Sequence, residues 1–158
     1  MELVACIREN WGWVGIDPVA VVDRNDFGNV LVRDVGGRIW WIRPELLSCE
    51  VVAKTEAEYA RLRADPEFVL DWEMRRLVQI ARAKVGALEA GRCYSFKIPT
   101  ALGAPYEAEN MATLNTEELI KFSGYVANEI RDLPDGTPVE IPRPTPSNVA
   151  TYRQTATV

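Results

Sequence analysis

The apolar residues of this chain follow two different patterns, and the pattern changes near residue 55. Before that point, short β-branched and aromatic runs at 19–22, 30–32, 38–42 and 49–53 alternate with turn residues. Runs of this length and composition are typical of β-strands. Gly36-Gly37 lies between two of the runs, and glycine reaches the positive φ angles of a tight hairpin without steric cost. Residues 11–53 are therefore predicted to be β-rich, with antiparallel hairpins.

Residues 55–86 carry helix-start and helix-stop signals instead. Thr55 and Glu58 have the T-x-x-E spacing of a capping box, and Asp65-Pro66 places an N-cap residue before a proline at the first helical position. Gly86 is a typical helix stop. The apolar stripe of the second helix consists of Phe68, Trp72, Leu77, Ile80 and Ala81. We expect one helix from residue 55 and a second, continuous one that ends before Gly86.

The remaining chain predicts a second, shorter β region and one more helix. Residues 92–113 read as a strand followed by an ordered loop, and Asn115 with Glu118 has capping-box spacing at the start of a helix over 115–133. Residues 137–141 can form a last short strand. The tail, 142–158, is rich in Pro and Thr, and we expect it to fray unless a partner orders it. The prediction is one α+β domain over residues 1–141, with hairpins packed against two or three main helices.

Composition restricts the compartment and the class of partner. Cys6, Cys49 and Cys93 are widely spaced and odd in number, which favours reduced thiols in a cytoplasm over a disulfide framework. No apolar run reaches about 18 residues, and the first residues lack the order of a signal peptide, so we expect no membrane association. The net charge of −5 argues against nucleic acid as a partner. Residues 1–79 hold 14 of the 23 acidic residues but only 10 of the 18 basic ones, and such an acidic half can steer a basic partner.

Catalytic motifs are missing from the sequence. The chain has no histidine, no Cys-x-x-Cys and no glycine-rich phosphate-binding motif, so the usual general base, the commonest zinc ligand and a nucleotide loop are all excluded. We therefore expect no catalytic residue, no metal and no cofactor. Carboxylate pairs could still support acid–base chemistry, and the candidates by proximity are Asp23 with Asp26, Asp71 with Glu73, and Glu107 with Glu109.

Five tryptophans are the most unusual residues of the composition. Trp40 and Trp41 are adjacent, so in a strand their side chains point to opposite faces of the sheet. One of them can enter the core, and the other must be covered by a helix, a loop or a partner. Core packing is the expected role for most of the five, but a partly exposed tryptophan is a frequent interface anchor.

Several motifs together resemble a known family. They are NDFGN at 25–29, GRIWWIRPE at 37–45, DW at 71–72, LEAGRCYSFKIP at 88–99, ALG at 101–103, PY at 105–106, Asn110, Phe122, Gly124 and LPDG at 133–136. In this order they resemble the Tdi-type type VI secretion immunity family, a C-terminal domain accompanied by a GAD-like N-terminal region. The resemblance covers about residues 10–141. Ala104 departs from it, because a second glycine is expected after Leu102-Gly103.

The resemblance implies a protein that binds and neutralises a cognate toxin, often a nuclease, by occlusion. It transfers no catalytic residue, in agreement with the missing motifs. Acidic residues of the first half are then the candidate toxin contacts: Glu56, Glu58, Asp65 and Glu67. Two alternatives stay open, a non-catalytic scaffold module and a small carboxylate-dependent enzyme that reverses a toxin's modification. The sequence also leaves the oligomeric state open, a homo-oligomer included.

Overall fold

A computed structural model describes residues 2–142 and 153–157. Its first half is a four-stranded antiparallel sheet in the order β1 (Pro18–Arg24), β2 (Val30–Asp34), β3 (Ile39–Arg43) and β4 (Ser48–Ala53). In the central pair, Leu31 lies opposite Trp41 and Val32 opposite Trp40. The strands follow the predicted runs closely, because alternating β-branched and aromatic residues fill both faces of this sheet. The predicted α+β class with hairpins in the first half is confirmed.

The β2–β3 hairpin is closed by an aspartate and a glycine. The Asp34 carboxylate accepts hydrogen bonds from the backbone N–H groups of Gly36 and Arg38, both at 2.9 Å. Gly37 has a φ of +84°, a conformation that costs glycine nothing. The positive φ predicted for the Gly-Gly pair is therefore adopted by Gly37.

The sheet is covered by helices on both faces. Val30, Val32, Trp40 and Ile42 point to one face, where they pack against α1 (Glu2–Trp11) and α5 (Thr116–Ile130). Leu31, Ile39 and Trp41 point to the other face, where they pack against α2 (Glu56–Arg63) and α3 (Pro66–Glu73). Both adjacent tryptophans are therefore buried, each under a different pair of helices.

The N-terminal helix α1 was not predicted. Residues 1–10 received no element, and the β-rich region was expected to begin at residue 11, whereas β1 begins only at Pro18 and residues 12–14 form a 3-10 turn. The helix buries Leu3, Ile7 and Trp11, which have the i, i+4, i+8 spacing of one helical face. The sequence thus held a signal for α1.

The predicted continuous helix after Asp65 is broken in two. Met74 adopts a left-handed conformation with a φ of +50° and separates α3 from α4 (Arg75–Val85). The side-chain amide of Asn25 donates to the Trp72 carbonyl at 2.7 Å and so satisfies the end of α3. The end of the helix is therefore bonded to Asn25, a loop residue 47 positions away in the chain. The residues next to Met74 carry no glycine or proline that would have predicted the break.

The helix starts agree with the predicted caps. The Thr55 hydroxyl accepts the Glu58 N–H at 3.1 Å, and the Asp65 carboxylate accepts the Glu67 N–H at 3.0 Å. Asn115 caps α5, but it accepts from the N–H of Glu117, and α5 ends at Ile130 rather than at residue 133. The N-cap residue is right in all three helices. The capping box of Asn115 with Glu118 is not among the described hydrogen bonds, and one predicted helix end is three residues too late.

Two small sheets complete the described fold. β5 (Arg92–Phe96) pairs with β6 (Met111–Asn115), which confirms the second short β region. β7 (Pro138–Pro142) pairs with β8 (Arg153–Thr157). Residues 153–157 were expected to fray within the tail, but they pair with β7 as a strand. Threonine, which is common in this tail, is β-branched and favours strands. The rest of the predicted tail, 143–152 and 158, lies outside the described residues.

Candidate functional site

The four predicted contact residues lie around the short helix α2. Glu56 and Glu58 are in its first turn, whereas Asp65 and Glu67 follow its C-terminal end. Eight helical residues span about 12 Å, so the two pairs lie at opposite ends of the helix. The structure does not gather the four residues into one cluster.

Three of these four carboxylates also have a local structural role. Glu56 accepts a hydrogen bond from the Nε of Arg33 at 2.7 Å, and Glu58 accepts the backbone N–H of Lys54 at 2.6 Å. Asp65 is the N-cap of α3. Among the described side chains, only Glu67 of the four has no hydrogen bond or ion pair. The sequence singled out these residues for their charge, but three of the four carboxylates bond to groups within the chain.

A different acidic surface emerges from the packing of distant elements. The largest of the described cavities, about 580 Å³, opens between the N-termini of α1 and α5 and the edge strand β1. We refer to it as the acidic groove. Its lining residues are Glu2, Leu3, Val21, Val22, Asp23, Arg24 and Glu117.

The groove exists because α1 and α5 pack in parallel. The Cys6 thiol lies 3.4 Å from the Glu117 carbonyl oxygen, and a Cβ on Gly124 would lie 2.9 Å from the carbonyl carbon of Asn10. The two contacts run in the same order along both helices, so both N-termini reach the same end of the molecule. Residues separated by more than 100 positions in the chain thereby meet in one groove.

The charge of the groove is predominantly negative. Glu2, Asp23 and Glu117 outnumber Arg24, and Asp23 is paired with Arg63 at 3.0 Å. Glu2 and Glu117 each lie in the first turn of a helix, where the positive end of the helix dipole stabilises a carboxylate. Their helix positions explain why acidic residues are tolerated there, and both side chains line the open groove.

The Cys6 thiol beside the groove is not activated. Burial raises its pKa, and the nearby carboxylates of Glu117 and Glu9 raise it further. Burial also raises the pKa of Cys49 to about 12 and that of Cys93 to about 11. A thiol that stays protonated at neutral pH is a poor nucleophile and a poor metal ligand. The environment of all three cysteines is thus that of structural residues.

A basic surface adjoins the acidic groove. A second open cavity of about 450 Å³ lies between the end of β1 and α4, and it shares Arg24 with the groove. Arg75 and Arg82 of α4 line it on one side, and with Arg24 they define what we call the basic strip. Helix α4 carries two further basic residues, Arg76 and Lys84, and no acidic one. Asp26 and Glu73 reduce the positive charge at the rim of the cavity.

A buried carboxyl lies between the large sheet and the β5–β6 pair. Glu45 accepts a hydrogen bond from the Asn29 amide at 2.9 Å, and the amide oxygen of Asn29 accepts from the Trp41 indole at 2.9 Å. Burial raises the pKa of the Glu45 carboxyl, although the Asn29 bond acts in the opposite direction. The backbone carbonyl of Glu45 also accepts from the Thr100 hydroxyl, which joins the two halves of the domain.

None of the cavities described here is lined by both members of a carboxylate pair that the sequence suggested. The small cavity beside Glu45 is lined by apolar residues and Ser95, and Glu45 is its one acidic residue. Asp23 and Asp26 line different cavities, and Glu73 pairs with Arg75. In the part of the chain that the structure describes, no cluster of three metal-ligating side chains occurs either.

One tryptophan of five reaches the surface. Trp13 is 39% exposed, whereas the other four are at most 7% exposed. Its ring stacks on that of Trp11 with a centroid distance of 5.9 Å, and its indole N–H donates to the Asn10 carbonyl at 3.0 Å. Of the five tryptophans, Trp13 is therefore the one that fits the predicted role of a partly exposed interface anchor. Its contacts with Trp11 and Asn10 fix the orientation of its ring.

Comparison with known proteins finds a family that resembles the middle of the chain. Residues 53–126 match the family model described as T6SS immunity protein Tdi1, C-terminal. This stretch belongs to the Tdi1 immunity family. The match confirms the resemblance carried by the sequence motifs, but it does not extend to a GAD-like N-terminal region. The matched model is the C-terminal part of a type VI secretion immunity protein.

The Tdi1 region supplies only part of the candidate surfaces. It contains α2, α3, α4 and Glu117, whereas Glu2, Asp23 and Arg24 lie outside it. The described helices include none that is both long and apolar enough to cross a bilayer.

A solved structure shares the whole fold. The crystal structure of Atu4351 from Agrobacterium tumefaciens aligns with a TM-score of 0.52 and 14% sequence identity, over 98% of this chain and 72% of that one. At this identity the likeness shows the fold. No curated protein sequence matches the chain significantly.

Proposed function

We propose that this Tdi1-family protein neutralises a cognate toxin by binding it through the acidic groove and occluding it. The family match over residues 53–126 carries the proposal. The cavity between α1, α5 and β1 supports it, since exposed Glu2 and partly exposed Glu117 and Asp23 line it together with half-buried Val21. Charged residues beside apolar area are typical of the rim of a protein interface.

The charge favours a nuclease as the toxin. A nuclease binds a polyanion, so the groove around its active site carries Lys and Arg. An acidic inhibitor surface complements such a groove, raises the association rate and excludes the substrate. The net charge of −5 acts in the same direction at long range.

The proposal is one of binding rather than catalysis, and of action in the cytoplasm. The lack of histidine and the protonated thiols leave no obvious nucleophile or base. A toxin that degrades nucleic acid has its substrate in the cytoplasm, where an inhibitor with three reduced cysteines would meet it. No nucleic acid, membrane or cofactor takes part.

The four acidic residues around α2 stay predicted contacts of the toxin, in addition to the groove. Glu56, Asp65 and Glu67 are exposed and Glu58 is partly so, which lets them add to the negative field on one side of the domain. Glu67 is the most informative of them, because its side chain makes no polar contact with another described side chain. We expect a smaller effect from it than from the groove, since surface charges at a rim act mainly on the association rate.

Co-expression with the toxin encoded by the neighbouring gene tests the function. The unaltered protein should restore growth, and survival no better than with an empty vector would sink the proposal. Glu2→Lys together with Glu117→Lys should weaken binding about a hundredfold, because removal of one partner from a desolvated charge pair costs about 2–5 kcal/mol.

The matched control is Glu107→Lys with Glu109→Lys. Both positions are exposed and lie outside the groove, and the pair changes the net charge by the same amount. Isothermal titration with an inactivated toxin should give the affinity of the unaltered protein for this control. If the groove variant bound as tightly as the control, the toxin would contact another surface, even though the immunity function itself could still hold.

A further inference from the structure

We propose that two copies of this chain associate through the face formed by the acidic groove and the basic strip, each groove taking the strip of the other copy. This inference does not depend on the proposed function, because no toxin enters it. If both hold, a toxin in the groove and a second copy exclude each other.

The two surfaces adjoin each other. Arg24 lines both cavities, so it marks the boundary between the carboxylates of the groove and the guanidinium groups of the strip. Asp26 and Glu73 offset part of the strip's positive charge, but α4 adds Arg76 and Lys84, so the combined face is bipolar.

Charges on both sides lack a partner within the chain. Among the described side chains, Glu2 and Glu117 of the groove make no ion pair, and neither do Arg24 and Arg82 of the strip. Arg75 pairs with Glu73 but is fully exposed. Another molecule can neutralise these charges if it places basic groups against the groove and acidic groups against the strip.

A two-fold axis supplies that arrangement. When a second copy is rotated by 180° about an axis near the shared boundary, its strip faces the groove and its groove faces the strip. Each contact is then made twice, as in any isologous dimer. A surface that is acidic throughout could not do this, so the bipolar arrangement selects a second copy as the occupant.

Side-chain geometry fits such a contact. Arg75, Gln79 and Arg82 have the i, i+4, i+7 spacing of one helical face, so α4 presents them together. Val78 in the second cavity and Val21 in the groove are only partly buried, which leaves apolar area beside the charges. The long arginine side chains can cover this area while their guanidinium groups reach carboxylates.

Two copies with a net charge of −5 also repel each other at long range. At physiological salt the Debye length is about 8 Å, so this repulsion is screened while contacts at a few ångströms persist. At about 1 M salt the Debye length falls to about 3 Å, and the contacts weaken as well. We therefore expect a dimer that is strongest at moderate salt.

Sedimentation equilibrium of the full chain over a range of concentrations tests the inference. At about 0.15 M salt the mass should rise toward twice the 17.7 kDa of the monomer, and at about 1 M salt the dissociation constant should rise at least tenfold. A monomer at every concentration would overturn the proposal.

Charge reversal then locates the interface. Glu2→Lys with Glu117→Lys makes the whole face basic, and Arg75→Glu with Arg82→Glu makes it acidic. Each variant alone should be monomeric, because like charges now face each other. An equimolar mixture should form a heterodimer, since both grooves again oppose strips of the opposite charge.

The controls keep the net charge of each variant but move the substitutions away from the face. They are Glu107→Lys with Glu109→Lys, and Arg61→Glu with Lys54→Glu, all at exposed positions. Both controls should dimerise like the unaltered chain, and circular dichroism spectra should show that all four variants are folded. Persistent dimers of either face variant, or a mixture that stays monomeric, would overturn the proposal.

Discussion

Asp34 is a carboxylate with no exposed side-chain surface, and it holds the β2–β3 hairpin together. Besides the two backbone N–H groups of the turn, it accepts hydrogen bonds from the Arg38 Nε at 2.7 Å and the Trp40 indole at 2.8 Å. Burial by itself raises the pKa of this carboxyl, but the hydrogen bonds from Trp40 and Arg38 outweigh it and hold the pKa below its ordinary value. The ionised form is therefore part of the native turn.

Asp34→Asn should lower the free energy of unfolding at pH 7 by about 2 kcal/mol, because an amide cannot accept all of these bonds and leaves a buried donor unpaired. The folded-state pKa of Asp34 lies below the unfolded-state value of about 3.9, so its contribution is present above that value and is lost as the pH falls through the folded-state pKa. The difference between the two proteins should accordingly shrink in acid. Urea titrations at several pH values measure it.

The control for this prediction is Asp71→Asn at an exposed position of α3. Surface substitutions of this kind change stability by less than about 0.5 kcal/mol. Equal stability of the Asp34 variant and this control at pH 7 would show that the four hydrogen bonds do not stabilise the hairpin.

At the scale of elements, the packing of α1 on α5 depends on a single missing side chain. Gly124 lies in the middle of α5, and a Cβ there would overlap the Asn10 carbonyl oxygen and lie 3.0 Å from the Asn10 Cβ. Backbone atoms cannot move aside as a flexible side chain does, so the two helices approach only where residue 124 has no side chain.

Gly124→Ala should destabilise the protein by about 1 kcal/mol, since overpacking costs about 1–3 kcal/mol and the gain in helix propensity returns about 1 kcal/mol. The separation of α1 from α5 should also widen the acidic groove at their N-termini. Thermal unfolding followed by circular dichroism measures the loss of stability.

Gly12→Ala is the matched comparison, because a Cβ at that position meets nothing within 4 Å. Its melting temperature should equal that of the unaltered protein within error. If the Gly124→Ala variant had the same melting temperature as the Gly12→Ala variant, the contact between α1 and α5 would tolerate a side chain at residue 124.

At the scale of the whole molecule, the Tdi1 region depends on the sheet that precedes it. Phe68 and Trp72 of α3 pack on Trp41 of β3, with ring-centroid distances of 5.2 and 5.6 Å. On the other face, Ile120 of α5 shares a core with Trp11 of α1. The family match begins at residue 53, after β3 and almost all of β4.

A fragment of residues 53–126 should therefore fail to unfold cooperatively. It would expose Phe68, Trp72 and Ile120, which are at most 7% exposed in the whole chain, and full burial of one such side chain contributes about 1.5–3 kcal/mol. The readouts are the sharpness of the thermal transition and the dispersion of amide resonances, both set against the full chain. A sharp transition of the fragment would contradict the dependence of the Tdi1 region on the sheet.

Features decided by neighbours in the chain were predictable from the sequence. The caps Thr55, Asp65 and Asn115 and the turn that follows Asp34 each involve residues within four positions of one another, so their hydrogen bonds need no tertiary partner. The alternating strands of the first half and the motifs of the Tdi1 family belong with them. The signal for α1 is equally local, since Leu3, Ile7 and Trp11 have the spacing of one helical face.

The break at Met74, the exposure of Trp13 and the acidic groove were decided only by tertiary structure. Asn25 ends α3 from a distant loop, and Glu2 meets Glu117 because Gly124 lets two helices approach. The sequence by itself determined an acidic chain of the α+β class, with motifs that resemble the Tdi1 family and without recognisable catalytic motifs. Where its charges converge was settled by packing, since a long-range contact depends on the shape of both partners and leaves no periodic signal in either segment.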